Sequence, residues 1–296
     1  METPKVKHPT LLPIVSIIMI LLIFLTGLFA PRVLNFPLVM TFVIVFMVLI
    51  GVCINGLPWG IFINERNKMT LSRFQLVIWA VIVLSAFLTI ALGRVYAGVA
   101  DPLAIALPTQ LWALLGISTT SLVGSPLILS TKVPKTSTKG ARRKVALFLV
   151  KEEKDASKLK ILVDAEKKPS HDAKIAVEDL IEKEENANKT KVDEIVEKFG
   201  IVAFNLKPEE AKFSDMFTGD EQGNEGFIDM AKVQMFFFTL IIAFSYMVLL
   251  VNLIMTTQPS GLDGFPVLTD SVVALLGISS AGYLTNKTYD KTKPGT

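Results

Sequence analysis

Six long stretches of this chain carry no charge through their centres, and this constrains its fold more than any other feature. A helix that crosses the hydrocarbon of a bilayer needs about 20 apolar residues, because about 30 Å must be spanned at about 1.5 Å per residue. Reading between charges places such stretches at 11–30, 38–57, 74–93, 108–129, 233–255 and 267–286, the last with Asp270 near one end. Charged residues make up 19% of the chain, below the about 25% of soluble domains. The deficit is local, since charges crowd into 131–230. The expected fold class is an α-helical polytopic membrane protein with about six transmembrane helices. A cleaved signal peptide is the other reading of the first stretch. That stretch exceeds the about 7–15 residues of a signal h-region and has no Ala-x-Ala site, so a retained helix is expected.

Lysine and arginine placement sets the expected orientation. With six crossings, one side receives only Arg32 and Arg94. The other collects Lys5, Lys7, Arg66, Lys68, Arg73, the basic residues of 132–232, and Lys287, Lys291 and Lys293. The expectation is an inner-membrane protein with both termini and 131–230 cytoplasmic. The polar segment reads as a small α+β domain. Strands are expected at 145–150, 158–164 and 201–206, and helices at 170–186, behind a Ser170 cap, and at 190–199, stopped by Gly200. A partly disordered charged loop is the competing reading.

Two parts of the chain resemble each other. Ser72-Arg73-Phe74-Gln75-Leu76 and Ala231-Lys232-Val233-Gln234-Met235 each open a span. About forty residues later, Ala113-Leu114-Leu115-Gly116-Ile117-Ser118 is matched identically by Ala274-Leu275-Leu276-Gly277-Ile278-Ser279. We read these as a duplicated helical hairpin, a parallel repeat about an axis along the membrane normal. The expected organisation is two N-terminal spans in 1–63, hairpin A in 64–131, the cytoplasmic domain in 132–230, and hairpin B with the tail in 231–296.

The hairpins carry a packing pattern. Gly116, Thr120 and Gly124, and likewise Gly277, Ala281 and Thr285, recur every four residues on one helix face, where small side chains let helices approach closely. Three readings of that face stay open: contact between the hairpins, contact between copies of the chain, or a polar pore lining of Ser118, Thr119, Ser121 and Ser279. Gln75 and Gln234, one turn inside the interface, are expected to bond across helices.

Lys232-Val233-Gln234-Met235-Phe236-Phe237-Phe238-Thr239 and Ala274–Lys287 resemble motifs of uncharacterised bacterial inner-membrane proteins. The resemblance covers the last third of the chain and, more faintly, 64–131. It implies a bacterial inner membrane and carries no activity with it.

No Asp, Glu, Lys, Arg or His stands mid-span, where ion-coupled transporters keep such groups. Cys53 is the only cysteine, and His8 and His171 lack ligand spacing. Asp220 opens an acidic turn that faintly resembles a calcium loop, but Glu225 and Ala231 stand where that loop needs Gly and Glu. No catalytic, cofactor or metal site is expected. From 131 to 151 the chain has Lys132, Lys135, Lys139, Arg142, Arg143, Lys144 and Lys151 and no acid. A basic run directly after a span is expected to bind anionic lipid headgroups, each residue contributing about 1 kcal/mol. No nucleic-acid partner is expected. The leading expectation is a non-catalytic membrane anchor or scaffold, joined to copies of itself or to another protein through 140–230. The alternative is a passive pore formed by oligomerisation.

Overall fold

A computed structural model describes residues 10–29 and 32–292. Lys5, Lys7, His8 and Lys293 lie outside the described residues. Among the described residues ten α-helices follow one another: α1 Leu11–Phe29, α2 Arg32–Asn55, α3 Leu71–Tyr96, α4 Thr109–Ser130, α5 Lys139–Glu153, α6 Ala156–Lys167, α7 His171–Ala187, α8 Lys189–Glu197, α9 Met230–Thr256 and α10 Asp270–Thr288.

Four of these helices are long and apolar enough to cross a membrane: α2 over Leu34–Asn55, and α3, α4 and α9 over their full lengths. The expectation of six is reduced accordingly. α1 is an uncharged helix of 19 residues whose apolar stretch is Leu11–Thr26. The 19 residues of α10 include Asp270, Asn286 and Lys287, which lower its hydropathy.

The helices α3, α4, α10 and α9 pack side by side in a ring, with α2 against α3 and α1 against α2. Trp79 and Tyr246, both fully buried, fill its middle with ring centroids 6.1 Å apart. Leu114, Leu250 and Leu276 close around them. The outward faces are apolar: Ile17, Phe24, Ile44, Leu84, Val123, Leu127, Ile241, Phe244 and Val248 all lie exposed. An aqueous protein rarely exposes so continuous an apolar surface, whereas lipid tails would cover it without cost. Hydroxyls along these helices bond back to their own backbone: Thr41 to the Pro37 carbonyl, Thr119 to Leu115 and Thr256 to Asn252.

At the far end, the connections after α3 and α9 are stitched together. Ala106 N–H donates to the Asp263 carbonyl, and Phe265 N–H donates to that of Ala106. Buried Arg94 donates to the carbonyls of Leu262 and Asp101, at 2.9 Å each.

At the opposite, polar end the expected α+β domain is instead a helical cap, and no strand occurs among the described residues. Residues 145–150 belong to α5 and 158–164 to α6. The run 145–150 is apolar enough to read as a strand. Its buried positions, Ala141, Val145, Ala146 and Val150, nevertheless follow helical spacing. Thr138 starts the helix by accepting the Ala141 N–H. Residues 201–206 are extended but meet only an isolated bridge, Val202 with Glu221. The α7 cap stands where expected, with the Ser170 hydroxyl accepting the Ala173 N–H. Gly200 stops α8 at φ +55° with its N–H on the Val196 carbonyl. α5 and α8 bury Val145, Val192, Val196 and Phe199, and Phe199 stacks on Phe204 at 4.3 Å.

Candidate functional site

Cap and bundle meet where Asn205 of the cap exchanges hydrogen bonds with Asn67 and donates its N–H to the Arg66 carbonyl, and at the turn 219–226, in which three successive side chains each grip a different part of the molecule. Asp220 holds the bundle. Its Oδ1 lies 3.2 Å from Arg66, in the connection between α2 and α3. Its Oδ2 lies 2.9 Å from Lys232, at the start of α9, and 2.5 Å from Lys287, at the end of α10. Glu221 holds the end of α4 and the tail. Its Oε1 lies 2.6 Å from Lys132, and its Oε2 accepts the N–H groups of Lys291 and Thr292 at 2.7 Å each. Gln222 holds the cap, accepting the Thr138 N–H at the start of α5 and donating to the Gly200 carbonyl after α8.

Local sequence shapes the turn. Asn224 Oδ1 accepts the Glu221 N–H, and a side chain at Gly223 would meet Thr292 Cα at 2.9 Å, so glycine is required at that point of close approach to the tail. Asp229 caps α9 through the Ala231 and Lys232 N–H groups and also accepts from Asn286 on α10.

The ion pairs are dry. Side chains of Lys132 and Glu221 are 2% and 4% exposed, those of Lys232 and Lys287 3% and 4%. Burial by itself raises the Asp220 carboxyl, but Lys232, Lys287 and Arg66 around it outweigh that and hold it well below the usual carboxylate range. Buried ion pairs add little net stability, yet removing one partner strands the other charge, so they impose one arrangement on the elements they join.

The structure disperses the basic run expected at the lipid surface. Lys132 is buried against Glu221, and Lys135 pairs with Asp290. Arg142 bonds Glu185 and Asp193, Arg143 lies 3.2 Å from Glu178, and Lys144 donates to the Phe204 carbonyl. Lys139 is exposed in the first turn of α5. Most of these cations thus face acids of the cap and tail instead of lipid, and Lys132 has no surface to offer a headgroup.

The expected helix-packing residues divide. A methyl group added at Gly124 would lie 3.5 Å from Leu284 of α10, and one added at Gly277 would lie 3.6 Å from Ile117 of α4, so both glycines face the neighbouring helix. Gly116 is exposed, and a methyl group added there would meet no atom within 4 Å. Thr120, Ala281 and Thr285 are also exposed. Contact between α4 and α10 instead uses Leu114, Ser118, Ser121, Ser125, Ser280 and Tyr283, with Ser121 and Ser280 hydroxyls 2.5 Å apart. Ser118 is buried and donates to the Leu114 carbonyl, Ser279 is buried, and Thr119 faces outward. Gln75 is buried in the bundle while Gln234 is exposed, so the two do not share an environment.

These features define a helical protein with four helices long and apolar enough to cross a membrane, whose polar cap is clamped to its bundle by buried charge. No protein-family model matches the chain, and neither does any curated protein or solved structure.

Proposed function

We propose that the chain is a non-catalytic membrane scaffold that holds a cytoplasmic helical cap in one fixed orientation over its transmembrane bundle. The observation that carries this reading is the three-way grip of Asp220, Glu221 and Gln222 on bundle, tail and cap. A cap tethered only for retention needs a linker, whereas buried charges on three elements fix direction. α1 and α10 run beside the four long helices and complete six crossings. The last of these returns the chain to the polar end, where Lys287 meets Asp220. On the basic-residue asymmetry, both termini and 131–230 lie in the cytoplasm, beneath a bacterial inner membrane. The cap, 140–230, presents its outer helices to a partner or to a second copy of the chain.

A duplicated hairpin accounts for the bundle. The buried positions of α3 and α9 run in step: Ser72 with Lys232, Gln75 with Met235, Trp79 with Thr239, Ile82 with Ile242, Ala86 with Tyr246, and Ile90 with Leu250. This pairing is one residue out of register with the pairing of the similar sequences, which explains why Gln75 and Gln234 part. Each hairpin is also preceded by an antiparallel bridge, Ile63 with Met69 and Thr218 with Ile228.

The pore reading, a passive pore formed between copies of the chain, has less support, because Ser118, Ser121 and Ser279 of its expected lining are buried within one chain and Thr119 alone is exposed. Purified protein in planar bilayers is expected to pass no current, and Thr119→Leu to leave stability unchanged within about 0.5 kcal/mol, as for other surface changes. Reproducible unitary conductance altered by Thr119→Leu would promote the pore.

A further inference from the structure

The stretch that joins the cap to α9 turns apolar side chains outward at the polar end of the bundle. Phe213 opens a single 3₁₀ turn, Phe213–Met216, and Phe227, Ile228 and Met230 lead into α9. All four side chains are more than half exposed. Phe213 continues the outer face of α9. Its ring lies 6.1 Å from that of Phe236, which lies 5.6 Å from the ring of exposed Phe237. Met230, Phe237, Ile241, Phe244 and Val248 follow helical spacing, so they form one exposed apolar stripe along α9 that Phe213 widens at its polar end. The turn meanwhile keeps its polar groups occupied. Lys212 N–H donates to the Asp215 carboxylate, Asp215 N–H to the Lys212 carbonyl, and Phe217 N–H to the Ser214 carbonyl. The Asp215 carboxylate also lies 3.6 Å from buried Lys68. Met216 and Phe217 fasten the turn to the bundle, in a cluster with Leu71, Met235 and Tyr283.

We propose that this turn is seated in the membrane interface, with Phe213 and Met230 among the first carbons of the acyl chains and Phe227 and Ile228 at headgroup level. Length sets the depth. The 27 residues of α9 measure about 40 Å at about 1.5 Å per residue, against about 30 Å of hydrocarbon, so about one turn extends past the hydrocarbon at each end. Phe236 stands in the second turn, inside that limit, and Phe213 lies beside it. Apolar side chains of interfacial segments sink about 5–10 Å into the same boundary. Paired backbone groups let the turn enter it without stranding donors. A patch covered by a protein partner would need the stripe below Phe237 to be covered by lipid and its continuation at Phe213 by something else. The assignment needs no free charge, and it moves the expected lipid contact from the basic run after α4 to the approach to α9. It rests on membrane insertion and not on the clamp that carries the scaffold reading.

The test is electron paramagnetic resonance of the full-length protein in lipid nanodiscs, with a nitroxide at Phe213→Cys or Met230→Cys and buried Cys53 left unlabelled. Collisions with oxygen, which concentrates in lipid, should outweigh those with a water-soluble nickel chelate at both sites, as at Phe244→Cys on the stripe. Lys183→Cys on the cap should show the reverse. A second measurement leaves the chain unaltered, so it decides the matter even if Phe213→Cys fails to fold. A phospholipid carrying a diazirine near the top of its acyl chain should crosslink within 212–217 and leave 175–190 unmodified. Nickel-dominated collisions at Phe213→Cys, protection from both reagents there, or crosslinks on α9 with none in 212–217 would each overturn the assignment. Nickel-dominated collisions at Phe244→Cys as well would show instead that membrane insertion fails, and the assignment with it.

Discussion

Asp220→Asn is expected to lower the stability of the folded protein by about 3–5 kcal/mol, the usual cost of removing one partner from a buried charge group. The amide fits the same space, but it leaves Arg66, Lys232 and Lys287 converging on a neutral side chain. The loss should exceed that of any exposed pair in the cap. Lys207 with Glu152, for instance, is half-exposed on both sides, and such pairs contribute about 0–1 kcal/mol. Acid provides a second signature. The folded-state carboxyl of Asp220 lies below its unfolded value of about 3.9, so its contribution is complete above about pH 4 and disappears as pH falls through the folded value. Wild-type melting in detergent should therefore drop steeply only in strong acid. Asp220→Asn should begin lower and lack that part of the acid fall.

Trp79→Ala should cost a similar about 3–5 kcal/mol, by a different route. Trp79 is fully buried at the centre of the helix ring, against Tyr246. Its indole Nε1 has no hydrogen-bond partner among the described residues, so the loss is of packing. Trp79→Phe should accordingly recover most of the stability, which thermal melting of the two variants measures directly. Were alanine as stable as tryptophan, the bundle would not be packed about this side chain.

The parts of this structure legible in sequence are those set by local rules. Uncharged runs locate the long helices, because the hydrocarbon requirement acts on consecutive residues. Ser170 and Gly200 mark helix ends, because a cap or a positive φ is decided within four residues. The run 145–150 misleads because six consecutive apolar residues satisfy both periods until their neighbours are counted. Burial of Ala141, Val145 and Val150 shows the helical one.

The clamp is not legible in sequence. Asp220 and Glu221 read as an ordinary acidic turn. Arg66 lies 154 residues from Asp220, and Lys132 lies 89 from Glu221. One signal is present: Arg66 and Lys68 occupy a short connection between apolar helices, and acids stand in the turn before α9, so opposite charges are delivered to one end of the bundle. The basic run from Lys132 misleads for the same reason, since Glu178, Glu185, Asp193 and Asp290 reach it only through folding. The small-residue stripe falls on two helices that pack together, but at Gly116 it lies on their exposed side. Four-residue spacing fixes which residues share a face, and only tertiary packing decides which face is covered.

The orientation of the cap is the central claim, and one distance distribution tests it. Spin labels at Ala97→Cys, at the far end of α3, and Lys183→Cys, on α7, would both be exposed, while the native Cys53 is buried and stays unlabelled. Pulsed electron–electron resonance on the protein in lipid nanodiscs should give a single narrow distance, which broadens when Asp220→Asn is added to the same pair. A broad or multiple distribution in the otherwise native protein would contradict a cap held in one orientation.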